Sequence, residues 1–262
     1  SELVKIVFIL AGAATLDRLF AKRNLIFTIL FSAYCVGCLA LMSDFGTALI
    51  FFVAFLCIAF LRTGDLPSIV MITAAAGFAG GIVLRFKPYV LARFAVWRHA
   101  WEYAQEEGYQ QTRTMSAVAS GGLFGAGPEE AWLKYVGAAN TDLVFGVVSE
   151  EFGLLLALCA AAAVILLGIY ALRAAGRSRS SFYAIAACAT AAMLVFQTTL
   201  NVLGSVDLLP LTGVTFPFVS MGGSSMLSCW GLLAYLQAAA PPPVSVKAAP
   251  KAPAPAVKPP QA

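Results

Sequence analysis

Long apolar stretches, each near the roughly 20 residues that cross a bilayer as a helix, dominate this chain. Short clusters of charged residues separate them, and only 11% of the 262 residues are charged, against about 25% in soluble domains. A soluble globule is therefore excluded, and the sequence predicts an all-α polytopic membrane protein. The seven predicted transmembrane helices are Leu3 to Phe20, Asn24 to Met42, Thr47 to Leu61, Ser68 to Leu84, Asp142 to Leu172, Phe182 to Val206 and Thr215 to Ala239.

The basic residues of the short connections predict the orientation of the chain. The connections after the second and sixth stretches, near 43–46 and 207–213, carry acids and no base. Because basic loops stay on the cytoplasmic side, the N-terminus should lie outside and the C-terminus inside. One large loop, about 85–141, is then extracytoplasmic. The bases that decide this are Arg18, Lys22, Arg23, Arg62, Arg173, Arg177 and Arg179.

The sequence predicts two domains that differ in amino-acid composition. Residues 1–240 form the transmembrane domain, and residues 241–262, with eight prolines, three lysines and no acid, should form a disordered cytoplasmic tail. The chain opens at Ser1 without a methionine and enters an apolar run at once, which suggests a fragment.

Ionisable residues inside apolar stretches are the first candidates for function, because an uncompensated charge is costly in a membrane. Glu2 and Lys5 are three residues apart on one helical face and could pair. Asp142 and Glu150 lie at the start of the fifth stretch and could share a cavity. Asp44 is either functional or simply a helix N-cap. The single histidine, His99, and the spacing of the cysteines predict no metal site.

The large loop combines aromatic residues, glycines and acids. It is either functional or an interfacial cap over the helix bundle. Glu102 would place a carboxylate at the membrane surface, where a general base could meet the headgroup of a lipid-linked substrate. Glu106 and Glu107 fit a solvated helix face better.

Five ordered motifs carry a family resemblance that spans nearly the whole chain before the tail. The motifs are MSDFGTA (42–48), GYQQTRTMSAVASGGLFGAG (108–127), NTDLVFGVVSEEFG (140–153), FQTTLN (196–201) and LLPLTGVTFPFVSMGGSS (208–225). With these motifs the chain resembles the SEDS family of shape, elongation, division and sporulation proteins, the family of RodA and FtsW.

The resemblance implies a fold and an activity. Family members have ten transmembrane helices, so the seven stretches would be helices four to ten, with the first three missing. The implied activity is a peptidoglycan glycosyltransferase that polymerises lipid II beside a class B penicillin-binding protein, with no nucleic acid involved. A carboxylate base and a cationic or metal stabiliser for the leaving pyrophosphate suffice in outline. No tightly bound cofactor is expected, although a divalent cation could assist.

The chain departs from the family at the catalytic aspartate, five residues before the glycine of GYQ. Tyr103 occupies that position, and Glu102 is its neighbour. We therefore expect Glu102 to be the base, with Lys5 facing the same cavity. The family's PExHTDF also loses its glutamate and histidine here. The predicted substrate-binding residues are Glu2, Lys5, Gln110, Asp142, Glu150 and Ser224.

Two other classes of function stay open. Because Tyr103 stands at the aspartate position, the protein could be a non-catalytic scaffold or activator of a transpeptidase. A polar cavity in a helix bundle would also suit a flippase for the lipid-linked precursor. Substitution of Glu102 should abolish the activity of an enzyme but not that of a scaffold or a flippase, so it distinguishes the first hypothesis from the other two.

Overall fold

A computed structural model describes residues 2–16, 21–41, 44–86, 88–178 and 180–239 of the chain. Within these ranges the protein is helical, and they contain no strand. The helices are α1 (Glu2–Leu16), α2 (Ala21–Leu41), α3 (Phe45–Thr63), α4 (Leu66–Phe86), α5 (Pro88–Val96), α6 (Tyr109–Gly121), α7 (Val144–Phe152), α8 (Leu154–Gly176), α9 (Ser181–Ser205) and α10 (Gly223–Ala239), with a 3-10 turn at Leu133–Tyr135.

Helix α9 lies at the centre of the bundle, where it packs against α8, α3, α1 and α10. Small residues let α8 approach it closely: a Cβ on Gly168 would lie 2.7 Å from a methyl of Val195. Ala157 and Ala171 are buried on this stripe, while Leu158 is about half exposed on the outer side. Small residues inside and large apolar residues outside are typical of helices that pack in lipid.

Aromatic and aliphatic side chains fill the space between α1, α3 and α9. The rings of Phe8 and Phe51 are 4.9 Å apart between centroids, and Ile9, Ile50 and Met193 are fully buried beside them. The core therefore joins the N-terminal helices to the central helix.

Three helices are long and apolar enough to cross a membrane within the described residues, namely α3, α8 and α9. Helices α1, α2 and α4 cover most of the first, second and fourth predicted stretches. The all-helical architecture is thus confirmed, whereas the count of seven spans stays a prediction. Among the residues used for orientation, Arg18 and Arg179 lie outside the described residues, as do the side chains of Lys22 and Arg23 and the tail 241–262.

Two predicted stretches were wrong as continuous helices. The fifth, Asp142 to Leu172, is broken at Gly153 between α7 and α8. The last, Thr215 to Ala239, becomes helical only at Gly223. Polar and small residues lie at both places, Ser149 to Glu151 in one case and Gly222 to Ser225 in the other, but they interrupt the apolar pattern too briefly to separate two helices by hydropathy alone.

The glycine-rich run 121–127 explains why the fifth stretch can break. It crosses the α7–α8 junction so closely that a Cβ on Gly121 would lie 2.2 Å from the Ser149 carbonyl oxygen. The N–H of Ala126 donates to the carbonyl of Glu150 at 2.8 Å, and the N–H of Leu154 donates to Gly122 at 2.9 Å. The run therefore satisfies backbone groups that the broken helix leaves unpaired.

Candidate functional site

An irregular segment between α9 and α10, residues 211–216, is the meeting point of polar side chains from four parts of the chain. Its backbone is held by side chains instead of by a helix. Arg93 of α5 donates to the carbonyl of Leu211, and Asn201 of α9 donates to that of Val214 at 2.8 Å. The Ser220 hydroxyl accepts the N–H of Phe216 at 2.7 Å. We call it the 211–216 segment.

A buried chain of hydrogen bonds connects α1 to this segment. The Lys5 ammonium, 2% exposed, lies 2.9 Å from Oε1 of Glu2 and 3.1 Å from Oε1 of Gln197. Nε2 of Gln197 donates to both the carbonyl and the hydroxyl oxygens of Thr215 at 2.8 Å. The Thr215 and Ser225 hydroxyls are 3.0 Å apart. The predicted pairing of Glu2 with Lys5 is thus present, and these five residues form what we call the polar relay.

Asp142 approaches the 211–216 segment from the start of α7. A Cβ on Gly213 would lie 3.2 Å from Oδ2 of Asp142 and 3.7 Å from Nη1 of Arg93. Gly213 also has a φ of +70°, a backbone conformation that favours glycine. Both this conformation and the lack of space therefore disfavour a side chain at this position. Burial raises the pKa of the Asp142 carboxyl, although a hydrogen bond from Thr141 and the charge of Arg93 act in the opposite direction.

The segment 140–142 is itself fastened to the region before α10. Nδ2 of Asn201 donates to the Asp142 carbonyl at 2.9 Å, and the Ser220 hydroxyl donates to the Thr141 carbonyl at 2.6 Å. The N–H of Met221 donates to Asn140 at 2.9 Å. These contacts fix the position of the Asp142 carboxyl relative to the 211–216 segment.

Glu150 has partners of its own. It is 1% exposed, and its two oxygens accept the N–H groups of Trp132 at 3.1 Å and Leu133 at 2.9 Å. The carboxylate therefore caps the 3-10 turn of the large loop. Its hydrogen bonds are to this backbone, whereas Asp142 faces Gly213 and Arg93.

Glu102 lies in a series of turns, residues 97–108, that precedes α6, and its side chain is exposed. This segment folds back on itself: a Cβ on Gly108 would lie 2.5 Å from the carbonyl oxygen of Ala100. It is also tied to the α9–α10 connection, since Nε1 of Trp97 donates to Leu208 at 3.2 Å. The N–H of Arg98 donates to Oδ1 of Asp207 at 2.9 Å. The turns that contain Glu102 are thus hydrogen-bonded to residues 207 and 208, which lie shortly before the 211–216 segment in the chain.

The remaining predicted residues have simpler positions. Nε2 of Gln110 donates to the Gly137 carbonyl at 3.2 Å. Ser224 is exposed at the start of α10, and its neighbour Ser225 is the buried member of the polar relay. Asp44 is the N-cap of α3, where Oδ1 accepts the N–H of Thr47 at 3.2 Å.

Arg93, Gln197 and Asn201 are among the residues that organise the site and that sequence reasoning missed. The two carboxamides lie within FQTTLN, in the middle of an otherwise apolar helix. Polar side chains there form hydrogen bonds between helices, so a search for carboxamides as well as charges would have found them. Arg93 had no comparable signal, because the loop around it contains many charged residues.

Comparison with known proteins identifies the family. A model of the FtsW, RodA and SpoVE family, described as "Cell cycle protein", matches residues 1–241. The probable peptidoglycan glycosyltransferase FtsW of Coxiella burnetii is 32% identical over 244 residues, which cover 87% of this chain and 64% of the relative. The peptidoglycan glycosyltransferase RodA of Mycobacterium leprae is 33% identical over 204 residues, or 77% of this chain and 43% of the relative. The chain thus spans about half to two thirds of the lengths of these relatives.

Solved structures share the fold. A chain of a peptidoglycan synthase complex, reported for its coordination of polymerization and crosslinking, superimposes with a TM-score of 0.71 at 24% identity, over 90% of this chain and 68% of that one. A mutant of the Thermus thermophilus rod shape determining protein RodA gives 0.58 at 22% identity, over 90% and 63%. Together with the apolar helices, these relatives make the protein an integral bacterial membrane protein. The chain belongs to the FtsW, RodA and SpoVE family of cell cycle proteins.

Proposed function

We propose that the protein is a peptidoglycan glycosyltransferase that polymerises lipid II at the outer face of the bacterial cytoplasmic membrane. The observation that carries this proposal is the family match over residues 1–241, with relatives named peptidoglycan glycosyltransferase at about 30% identity. The buried cation Lys5 and the half-buried acid Asp142, both joined to the 211–216 segment, support a polar site within the helix bundle.

The proposed reaction needs a base and a cation. The acceptor sugar hydroxyl loses its proton to a carboxylate while its oxygen attacks the anomeric carbon of the donor. The bond from that carbon to the pyrophosphate breaks, and undecaprenyl pyrophosphate leaves with the electron pair. An exposed carboxylate such as Glu102 can accept the proton. A cation stabilises the charge that develops on the pyrophosphate.

Lys5 is our first candidate for that cation, held by Glu2 and Gln197. A divalent cation bound with the substrate is the second. No tightly bound cofactor is required by this scheme. We assign Asp142, Gln110 and Ser224 to the walls of the substrate cavity, and Glu150 to the support of the large loop through Trp132 and Leu133.

The orientation of the chain belongs to the same proposal. Seven spans with the C-terminus in the cytoplasm would place the loop 85–141, and with it Glu102, on the extracytoplasmic side. A class B penicillin-binding protein that crosslinks the new strands is the proposed partner. The likeness to a chain from a peptidoglycan synthase complex supports this choice of partner.

The decisive experiment measures glycan polymer made from labelled lipid II by the complete protein, purified with its cognate penicillin-binding protein whose own activity is blocked. Loss of a general base should lower the rate by a factor of about 100 or more in Glu102→Gln. Glu107→Gln, an exposed neighbour in the same segment, is the matched control and should polymerise like the wild type.

Other outcomes point elsewhere. Equal polymer from Glu102→Gln and the wild type would move the base to another acid, Asp142 first. No polymer from folded wild type would favour the non-catalytic activator, which the tyrosine at position 103 already suggests. Labelling of a Glu102→Cys variant from the cytoplasmic side alone would place this residue in the cytoplasm and exclude the proposed glycosyltransferase.

A further inference from the structure

The run 121–127, which crosses the α7–α8 junction, exposes two large apolar side chains. Leu123 is 62% exposed and Phe124 is 83% exposed. The sequence carries no charge between Arg113 and Glu129, so the run itself places no charged side chain beside them. Exposed apolar surfaces of this kind commonly mark sites of interaction. We call Leu123 and Phe124 the apolar tip.

Hydrogen bonds hold the backbone of the apolar tip against the start of α8. The N–H of Leu155 donates to the carbonyl of Leu123 at 3.3 Å, and the N–H of Gly125 donates to that of Gly121 at 2.8 Å. Gly125 also packs so closely that a Cβ on it would lie 2.4 Å from the carbonyl oxygen of Glu151. The backbone on both sides of the tip is therefore fixed to the α7–α8 junction.

The length of α8 indicates where this junction lies in a membrane. Helix α8 is long and apolar enough to cross a bilayer, and Arg173 lies in its last turn. At about 1.5 Å per residue, the helix covers about 29 Å between Leu154 and Arg173, which matches the roughly 30 Å of the hydrocarbon layer. A charged Arg173 belongs at one boundary of that layer, so Leu154 lies at the other. The apolar tip, hydrogen-bonded to the first turn of α8, lies at the same boundary.

The exposed surface of α8 continues into the apolar tip. Large apolar side chains around the start of α8 are about half exposed, namely Phe152, Leu155, Leu156 and Leu158. On a helix that crosses a membrane, large apolar residues on the outer side face lipid. The tip extends this lipid-facing surface sideways, beyond the helix itself.

Another exposed aromatic residue of the large loop has very different surroundings. Tyr135 is 82% exposed, but the Lys134 ammonium lies 5.5 Å from its ring centroid. The same ammonium donates to the carbonyl of Pro128 at 2.6 Å, and Glu129 and Glu130 are exposed nearby in the sequence. Charged groups around Tyr135 favour contact with water, so exposure alone does not distinguish the tip.

We propose that the apolar tip anchors the large loop in the phospholipid bilayer. Leu123 and Phe124 insert at the boundary between headgroups and acyl chains, beside the first turn of α8. Apolar side chains of interfacial elements reach about 5–10 Å into this region. Because the tip follows α6 and packs on the end of α7, its insertion sets the depth at which both helices lie. The anchor goes beyond the proposed glycosyltransferase activity and does not depend on it.

The test introduces an indole at the tip and measures its contact with lipid. The complete protein carrying Phe124→Trp is reconstituted in vesicles of phosphatidylethanolamine and phosphatidylglycerol, with or without bromine on the acyl chains. Bromine quenches indole fluorescence on contact, and the emission of the native tryptophans is subtracted with wild-type samples. Bromine near the headgroup should quench the new indole more than bromine near the chain end, because the tip lies only about 5–10 Å deep. Tyr135→Trp is the matched control and should lose little emission.

Leu123→Trp gives an independent measurement and should be quenched like Phe124→Trp. Both positions are exposed, and size-exclusion chromatography verifies folding before reconstitution. Weak quenching at the tip, or equal quenching of Phe124→Trp and Tyr135→Trp, would overturn the anchor. The measurement is repeated with the cognate penicillin-binding protein present. Quenching that persists supports the anchor, whereas quenching that disappears would assign the tip to a protein contact instead of lipid.

Discussion

Lys5 donates a hydrogen bond to Gln197 across 3.1 Å in the interior of the protein. The orientation of the Gln197 amide is fixed, because its Nε2 donates to the Thr215 carbonyl, a group that can only accept. Rotation of the amide by half a turn would place its NH2 against the Lys5 ammonium. The hydrogen bonds of Gln197 therefore connect α1 to the 211–216 segment and fix their relative positions.

Gln197→Leu should destabilise the protein. The substitution leaves the Thr215 carbonyl and part of the Lys5 ammonium without their partner, and an unsatisfied buried polar group costs about 1–3 kcal/mol. Thermal unfolding in detergent measures the effect. Gln237→Leu, on the exposed side of α10, should unfold like the wild type. An unchanged melting temperature in Gln197→Leu would contradict the polar relay.

Glu150→Gln should loosen the large loop without any direct effect on chemistry. One carboxylate oxygen is replaced by an NH2 that faces the N–H of Trp132 or Leu133, and hydrogen bonds to charged groups contribute about 1.5–3 kcal/mol. Limited proteolysis should cut the loop near 128–136 faster than in the wild type. Glu151→Gln is the control, because Glu151 is adjacent and less buried. Equal cleavage of the two variants would show that the Glu150 cap does not stabilise the large loop.

The helices and several local pairings could be predicted because they depend on short-range patterns. Hydropathy located α3 and α9 within a few residues at both ends and α8 at its C-terminal end, and helical spacing paired Glu2 with Lys5. The cap at Asp44 is one of the two roles that its residue type and position allowed. Each of these needs information from only one turn or one helix.

The break at Gly153 could not be predicted in the same way, nor could the side chains that hold the 211–216 segment. Both exist because distant parts of the chain supply partners, the run 121–127 in one case and Arg93, Gln197 and Asn201 in the other. The hydropathy of a short stretch of sequence does not show which distant residues will supply such partners. The glycines of the run were visible, but their close approach to α7 depends on tertiary packing.

Gly153→Ala should prevent normal packing of the α7–α8 junction. The residue has a φ of +95°, and a Cβ would lie 2.3 Å from the carbonyl oxygen of Leu123, so strain of about 1–3 kcal/mol adds to a steric clash. We expect little folded protein by size-exclusion chromatography. Gly77→Ala, in the middle of α4 with open space around its Cβ position, should be neutral or slightly stabilising. Normal yield of Gly153→Ala would contradict the crossing of the run 121–127.

Asp142→Asn should stabilise the protein at neutral pH. Asp142 precedes α7 and lies outside α3, α8 and α9, and burial is the largest influence that raises the pKa of its carboxyl. A carboxyl whose pKa is raised on folding binds its proton more tightly in the folded state. Its ionisation therefore costs stability as the pH rises through the raised pKa, and the cost disappears below the usual value of about 3.9.

Melting temperatures of the wild type and Asp142→Asn, measured from about pH 8 down to about pH 4, test this expectation. The variant should unfold at the higher temperature at neutral pH, and the difference should shrink as the pH falls. A difference independent of pH would show that the hydrogen bond from Thr141 and the charge of Arg93 together compensate the buried charge fully. If Asp142 also lines the proposed substrate cavity, the stabilised variant should polymerise lipid II more slowly, because a charge kept at a cost in stability is typical of functional sites. Faster or unchanged polymerisation would remove Asp142 from the cavity and leave its burial as a feature of packing alone.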